Sequence, residues 1–169
     1  MGYTHLTDIC QFVPPSAAQK TAGTWTPTIA SNVVSDVRTA ADAEFTLLVP
    51  LSLPGSESAL QGAKITSIDI WYRIATAAAT DFATVNLVRL NHRAQELAAQ
   101  GATINITMDA GHDTAAKRKA VEHHKMTITI DAPIFVEKNR PYYLVMIVDA
   151  HANTVFTYHG CQVNYTLRL

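Results

Sequence analysis

Histidine and cysteine are the side chains in this chain with the most capacity for chemistry, and their spacing decides what that chemistry could be. The seven histidines are His5, His92, His112, His123, His124, His151 and His159; the two cysteines are Cys10 and Cys161. A metal held by a strand needs two histidines at alternate positions, with a carboxylate nearby and a later histidine. No His-x-His occurs. His123 and His124 are adjacent, so on a strand they face opposite ways and cannot chelate one ion together. Asp109, His112 and Asp113 could gather around a metal in a loop. The plainer reading makes Asp113 a helix cap and His112 a solvated loop residue. His159 and Cys161 are two apart on an expected strand and would share a face, but a nucleophilic Cys–His pair needs a thiolate at a cleft. Beside Gly160 in an apolar strand, core packing is the expectation for both. The acids fall mostly at turns and strand exteriors, so no pair faces across a groove as glycoside hydrolysis requires. Phosphate-loop, nucleophile-elbow, CxxC and HExxH patterns are all missing. No catalytic residue, metal or cofactor is therefore expected, and the chain reads as a non-enzyme.

Aromatic side chains offer a different kind of site. Trp25, Trp71, Tyr143 and Tyr158 are candidates for a platform on which a flat sugar face stacks. Only Trp71 lies clearly on the polar side of its strand. Trp71 and Trp25 are taken as the candidate ligand or partner surface. Trp71 is expected to be covered by an N-terminal arm or a partner, or to lie flat against its neighbours.

Most elements that must position these residues read as strands. Over 44–53, Phe45, Leu47, Val49, Leu51 and Leu53 share one face, and the run stops at the turn signal Pro54-Gly55. Over 64–74, Ile68, Ile70, Tyr72 and Ile74 alternate with Ser67, Asp69, Trp71 and Arg73. Further strands are expected at 25–29, 83–90, 104–108, 126–130, 142–148 and 155–169. The run 142–148 is apolar throughout and reads as a central strand. In the last strand Phe156 and Tyr158 are in one phase and Val163, Tyr165 and Leu167 in the other, so Gly160 is expected to mark a bulge or bend. Residues 92–100 read as a loop or a short helix. Residues 114–121 read as a helix capped by Asp113 or Thr114, with Lys117, Arg118 and Lys119 toward its C-terminal half. Together these predict an all-β fold: a two-sheet, antiparallel, jelly-roll-like sandwich of about eight strands with one or two short helices in its connections. A closed barrel is the alternative.

Residues 1–23 read as an N-terminal extended arm, and 24–169 as a single β-sandwich domain. Pro14-Pro15 cannot sit in a central strand. Ile9, Phe12 and Val13 make the arm apolar, so it should dock on its own domain or on a neighbour.

The chain has 169 residues, 48% of them apolar, enough for a full core. Its 13 Lys and Arg nearly balance 14 Asp and Glu, so no basic excess exists to neutralise phosphates, and nucleic acid is not an expected partner. No stretch reaches the roughly 20 apolar residues that span a bilayer, so no membrane association is expected either. Residues 1–20 lack the charged start and unbroken apolar run of a secretory signal, which suggests synthesis in a cytoplasm. Cys10 and Cys161 are expected as free thiols.

Two segments, GAKITSIDIWYRIATAAATDFATVNLVRL and PYYLVMIVDAHANTVFTYHGCQVNYTLRL, resemble the small jelly-roll structural proteins of viral, bacteriophage-like particles. The likeness covers about two-thirds of the chain, and no active-site residue carries over. It implies a self-assembling homo-oligomer, a trimer or larger, located in a virion or other particle as a shell, decoration or tail component. It would have no cofactor, and other particle proteins could be its partners. In that reading Ile9, Phe12 and Val13 make the oligomer contact, and deleting 1–20 would weaken assembly while leaving the domain folded. The alternatives are a carbohydrate-binding β-sandwich module with a glycan partner and, less favoured without His-x-His, a metal-dependent cupin-like enzyme.

Overall fold

The computed structural model describes residues 6–53, 63–91, 100–137 and 140–168. The expected turn at Pro54-Gly55, most of the 92–100 connection, and His5 and His92 lie outside them. Among the described residues there are twelve strands: β1 (Leu6–Val13), β2 (Gln19–Lys20), β3 (Trp25–Ala30), β4 (Val33–Arg38), β5 (Ala43–Leu51), β6 (Ala63–Ala75), β7 (Asp81–Asn91), β8 (Gln100–Ile104), β9 (Ile106–Met108), β10 (His123–Phe135), β11 (Tyr142–Ala150) and β12 (Val155–Arg168). One short helix, α1 (Ala115–Arg118), and a 3-10 turn at Pro15–Ala17 complete them.

The strands form two antiparallel sheets. One runs β3-β4-β12-β6-β10-β9, with β1 also on β12; the other runs β2-β5-β11-β7-β8. The long strands pair as nested hairpins: β4 with β12, β5 with β11, β6 with β10 and β7 with β8. From β4 to β7, and again from β8 through β10 and β11 to β12, the long strands alternate between the sheets, so one long hairpin turning at β7–β8 is rolled up on itself, which is the jelly roll. The all-β sandwich expected from the sequence is thus the fold, with more strands than the eight counted.

Period-two burial explains the packing. Ile68, Ile70, Tyr72 and Ile74 of β6 are buried against Leu144, Met146 and Val148 of β11 and their neighbours in one continuous core. Burying each such side chain contributes about 1.5–3 kcal/mol. β11 alternates strictly between buried and half-buried and is paired on both sides, so it is central, as its composition predicts.

Four details differ from the sequence reading. Residues 6–13 of the expected arm dock on their own domain, one of the two outcomes left open, but as a regular strand, β1, which pairs with β12 from Leu6↔Arg168 to Val13↔Cys161. Strand β4 escapes the hydrophobic pattern because its inward positions, Asp36 and Arg38, are charged, and Ser35, between Asp36 and the hairpin tip, is buried too. The alternating stretch around Ile104 and Met108 is two strands, β8 on β7 and β9 on β10, and the chain changes sheets at Asn105. Arg118, whose charge was expected to serve the C-terminal end of a helix, is buried and donates to the carbonyls of Phe82 (2.8 Å), His112 (2.7 Å) and Ala83 (3.1 Å).

The bulge in β12 is where it was expected. The register to β6 shifts between Tyr158 and Gly160, and Gly160 has φ +111. Because the bulge inserts one residue, Phe156 and Tyr158 before it and Cys161, Val163 and Tyr165 after it all face the core.

Candidate binding groove

The bulge builds a groove on the outer face of the seven-stranded sheet. A Cβ on Gly160 would meet Phe12 Cζ and the Val13 carbonyl, each at 2.7 Å. The missing side chain therefore admits the Phe12 ring of β1. Phe12 then stands 6.3 Å from the ring of Trp71, which lies opposite Gly160 on β6. Trp71 in turn lies opposite Lys125 on β10, whose ammonium sits 5.8 Å from its ring centroid. Phe12, Trp71, Lys125, His123, His159 and Val33 of the β3–β4 hairpin line a shallow, mostly apolar groove of about 600 Å3. Tyr72 and His124 reach it as well.

Among the expected aromatic candidates, Trp71 alone lines this groove. Trp25 packs edge-on against Phe45 (5.4 Å) and Phe156 (6.3 Å), and its indole N–H donates to the Ala22 carbonyl at 3.3 Å. Tyr158 is buried in the core, and Tyr143 is half-buried on β11 of the other sheet. The N-terminal residues divide: Val13 is buried, Ile9 half-buried against the core, and Phe12 54% exposed in the groove wall.

Below the groove lies a hydrogen-bonded chain of titratable groups. The Asp109 carboxylate accepts from the backbone N–H groups of Thr127 (2.6 Å) and Gly111 (2.8 Å) and meets His112 Nδ1 at 2.8 Å. His112 Nε2 faces His124 Nδ1 at 3.1 Å, and His124 Nε2 donates to the Ala120 carbonyl at 3.0 Å. Three hydrogen bonds run through two imidazoles. Burial lowers the His124 pKa. Burial pushes the Asp109 carboxyl up, but the hydrogen bonds from Thr127, His112 and Gly111 together hold it below its ordinary value. The His124 ring stacks on Tyr72 at 4.4 Å, and Tyr72 donates to the Arg118 carbonyl.

This chain replaces the metal loop considered from the sequence. Asp113 pairs with Lys117 at 2.7 Å, and it is Thr114 that caps α1, accepting from the Lys117 N–H. Among the described residues no three His, Cys, Asp or Glu side chains converge on one point. The expected shared face of His159 and Cys161 is also undone, because the bulge puts Cys161 in the core while His159 lines the groove. Burial pushes the Cys161 thiol up to about 11, the reverse of what a thiolate nucleophile requires. Burial lowers the His159 pKa, and its Nδ1 is buried without a hydrogen-bond partner.

No family model matches the sequence, and no curated protein matches it. Among solved structures the chain is similar to TmCBM61 in complex with β-1,4-galactotriose, at 13% identity and TM-score 0.39, covering 96% of this chain and 88% of that one. It is also similar to a family two carbohydrate esterase from Cellvibrio japonicus, at 7% identity and TM-score 0.40, covering 97% of this chain and 35% of that one. A third similar structure is of carbohydrate-binding modules from the β-sandwich superfamily, at 15% identity and TM-score 0.36, covering 97% and 56%. At these scores no alignment assigns a role to any residue here.

Proposed function

We propose that the chain is a non-catalytic, carbohydrate-binding β-sandwich module whose ligand lies in the Trp71 groove. The observation that carries this reading is the half-buried Trp71 ring, set among Phe12, His123, Lys125 and His159 on the outer face of a sheet. An indole held by its strand and by Phe12 is a rigid apolar plane, and the nearby nitrogens supply directional contacts, the combination a sugar ring uses. Trp71→Ala should remove binding on a glycan array while leaving the thermal transition within a few degrees of the parent. Retention of glycan binding by that variant would exclude the groove as the site.

Self-assembly is the second reading, and a separate observation favours it. Ile29, Val33 and Val34 at the tip of the β3–β4 hairpin are exposed, at 78%, 49% and 49%, as is Leu6 of β1 at 71%. Exposed apolar side chains gathered at a hairpin tip, as Ile29, Val33 and Val34 are, suit a contact surface. A particle component would be a homo-oligomer through these residues and Phe12. Light scattering after size-exclusion chromatography tests it, and a monomer at high protein concentration would remove it.

A further inference from the structure

The polar side chains around the groove select among sugars, and this selection rests on the carbohydrate reading above. A neutral pyranose presents hydroxyl groups that both donate and accept. Sites for them need acceptors, such as carboxylates or side-chain amides, to take the hydroxyl protons. The described residues lining this groove include no carboxylate and no amide: their polar groups are His123, His124, His159, Lys125 and the Tyr72 hydroxyl. Two of these are spent elsewhere, since Tyr72 donates to the Arg118 carbonyl and both His124 nitrogens are engaged with His112 and Ala120. His123, His159 and the Lys125 ammonium remain.

Lys125 is loosely held. Its nearest carboxylate oxygen, Asp69 Oδ2, is 3.7 Å away. Asp69 is already supplied with donors, by the Thr127 hydroxyl at 2.6 Å and Asn164 Nδ2 at 3.4 Å. The ammonium can therefore leave Asp69 at little cost while its side chain, 57% exposed, stays over the Trp71 ring. Arg73 on β6, cross-strand from His123, is not part of the lining but places a further positive charge near His159.

We infer that the groove takes an anionic sugar, one whose ring stacks on Trp71 while a carboxylate or sulfate substituent meets Lys125 and the histidines. Such a substituent accepts hydrogen bonds only, which matches the Lys125 ammonium, a donor only, with one N–H on each neighbouring imidazole beside it.

The test is calorimetric titration of the intact protein with three tetrasaccharides of one backbone: the neutral oligomer, its uronate form and its sulfated form. The parent should bind one or both acidic forms at least about tenfold more tightly than the neutral one, the scale of one charge-assisted hydrogen bond. Lys125→Ala should remove most of that difference, Lys125→Glu should reverse it, and Lys117→Ala on α1 should leave it unchanged. Circular dichroism confirms that each variant is folded. Equal affinity for neutral and acidic forms overturns the anionic preference but leaves the carbohydrate reading standing. Absence of binding to any glycan, on the array or in solution, overturns both.

Discussion

Gly160 shows how much one residue sets. Its φ of +111 and the 2.7 Å approach of Phe12 leave no room for a side chain. Gly160→Ala should lower unfolding stability by about 1–3 kcal/mol in urea melts, through strained backbone and a displaced ring. It should also weaken ligand binding, because Phe12 would leave the groove wall. Cysteine reactivity divides in the same residue-level way: Cys10 is exposed and Cys161 buried, with burial pushing its thiol up to about 11. A thiol reagent at neutral pH should titrate one cysteine in the native protein and two in denaturant. The histidines give a pH dependence with a definite sign. His124 and His159 have folded pKa values below the ordinary 6.5, so the unfolded chain binds more protons as pH falls through that value. Their contribution is complete above about pH 6.5 and is lost on acidification toward the folded values. The Asp109 contribution goes at lower pH, as protonation passes down from 3.8 toward its depressed folded pKa. The melting temperature should therefore fall between pH 7.5 and 5, and His124→Gln should flatten that slope. A melting temperature that rises on acidification would contradict the assignment.

At the scale of elements, the sequence was most informative where one face of a strand is greasy. Strands β5, β6, β10 and β11 are read directly from alternate Phe, Leu, Ile, Val and Met, and the β12 bulge from the change of phase at Gly160. Strand β4 was invisible because Arg38 takes an inward position that pattern reasoning reserves for apolar residues. Its guanidinium is satisfied locally by the carbonyls of Ala41 and Ala43, both at 3.2 Å, and by the Phe45 ring, contacts that exist only once the fold has formed. The break between β8 and β9 was hidden because inward alternation continues across Asn105 while the hydrogen-bonding partner changes. The groove was half legible. Trp71 stood out as an aromatic residue on a polar face, but Phe12 reaches it only through the β1–β12 pairing of residues more than 140 apart in sequence. The His112–His124 contact had one available signal: His124 keeps phase with Met126, Ile128 and Ile130, so it had to face inward. Strand β1 also yields a prediction. It buries Val13 and pairs along the length of β12, so deleting residues 1–13 should lower the melting temperature by several degrees or more. An unchanged transition in differential scanning calorimetry would show that β1 is a detachable arm.

For the whole molecule, the rolled hairpin brings distant segments onto one outer face. β1, β6, β10 and β12 each contribute to a single groove, and the core beneath holds their backbones in register. Two packed sheets with the Gly160 bulge make a surface that is already open to a flat ligand. The central claim is that this groove is the working surface and that Trp71 is its anchor. The most direct measurement is the affinity of the parent protein and Trp71→Ala for the tightest ligand found on a glycan array, taken by calorimetry under identical conditions. The account predicts a loss of at least about tenfold in the variant, the least expected when a stacked aromatic anchor is truncated. Equal affinity in the two proteins would contradict it.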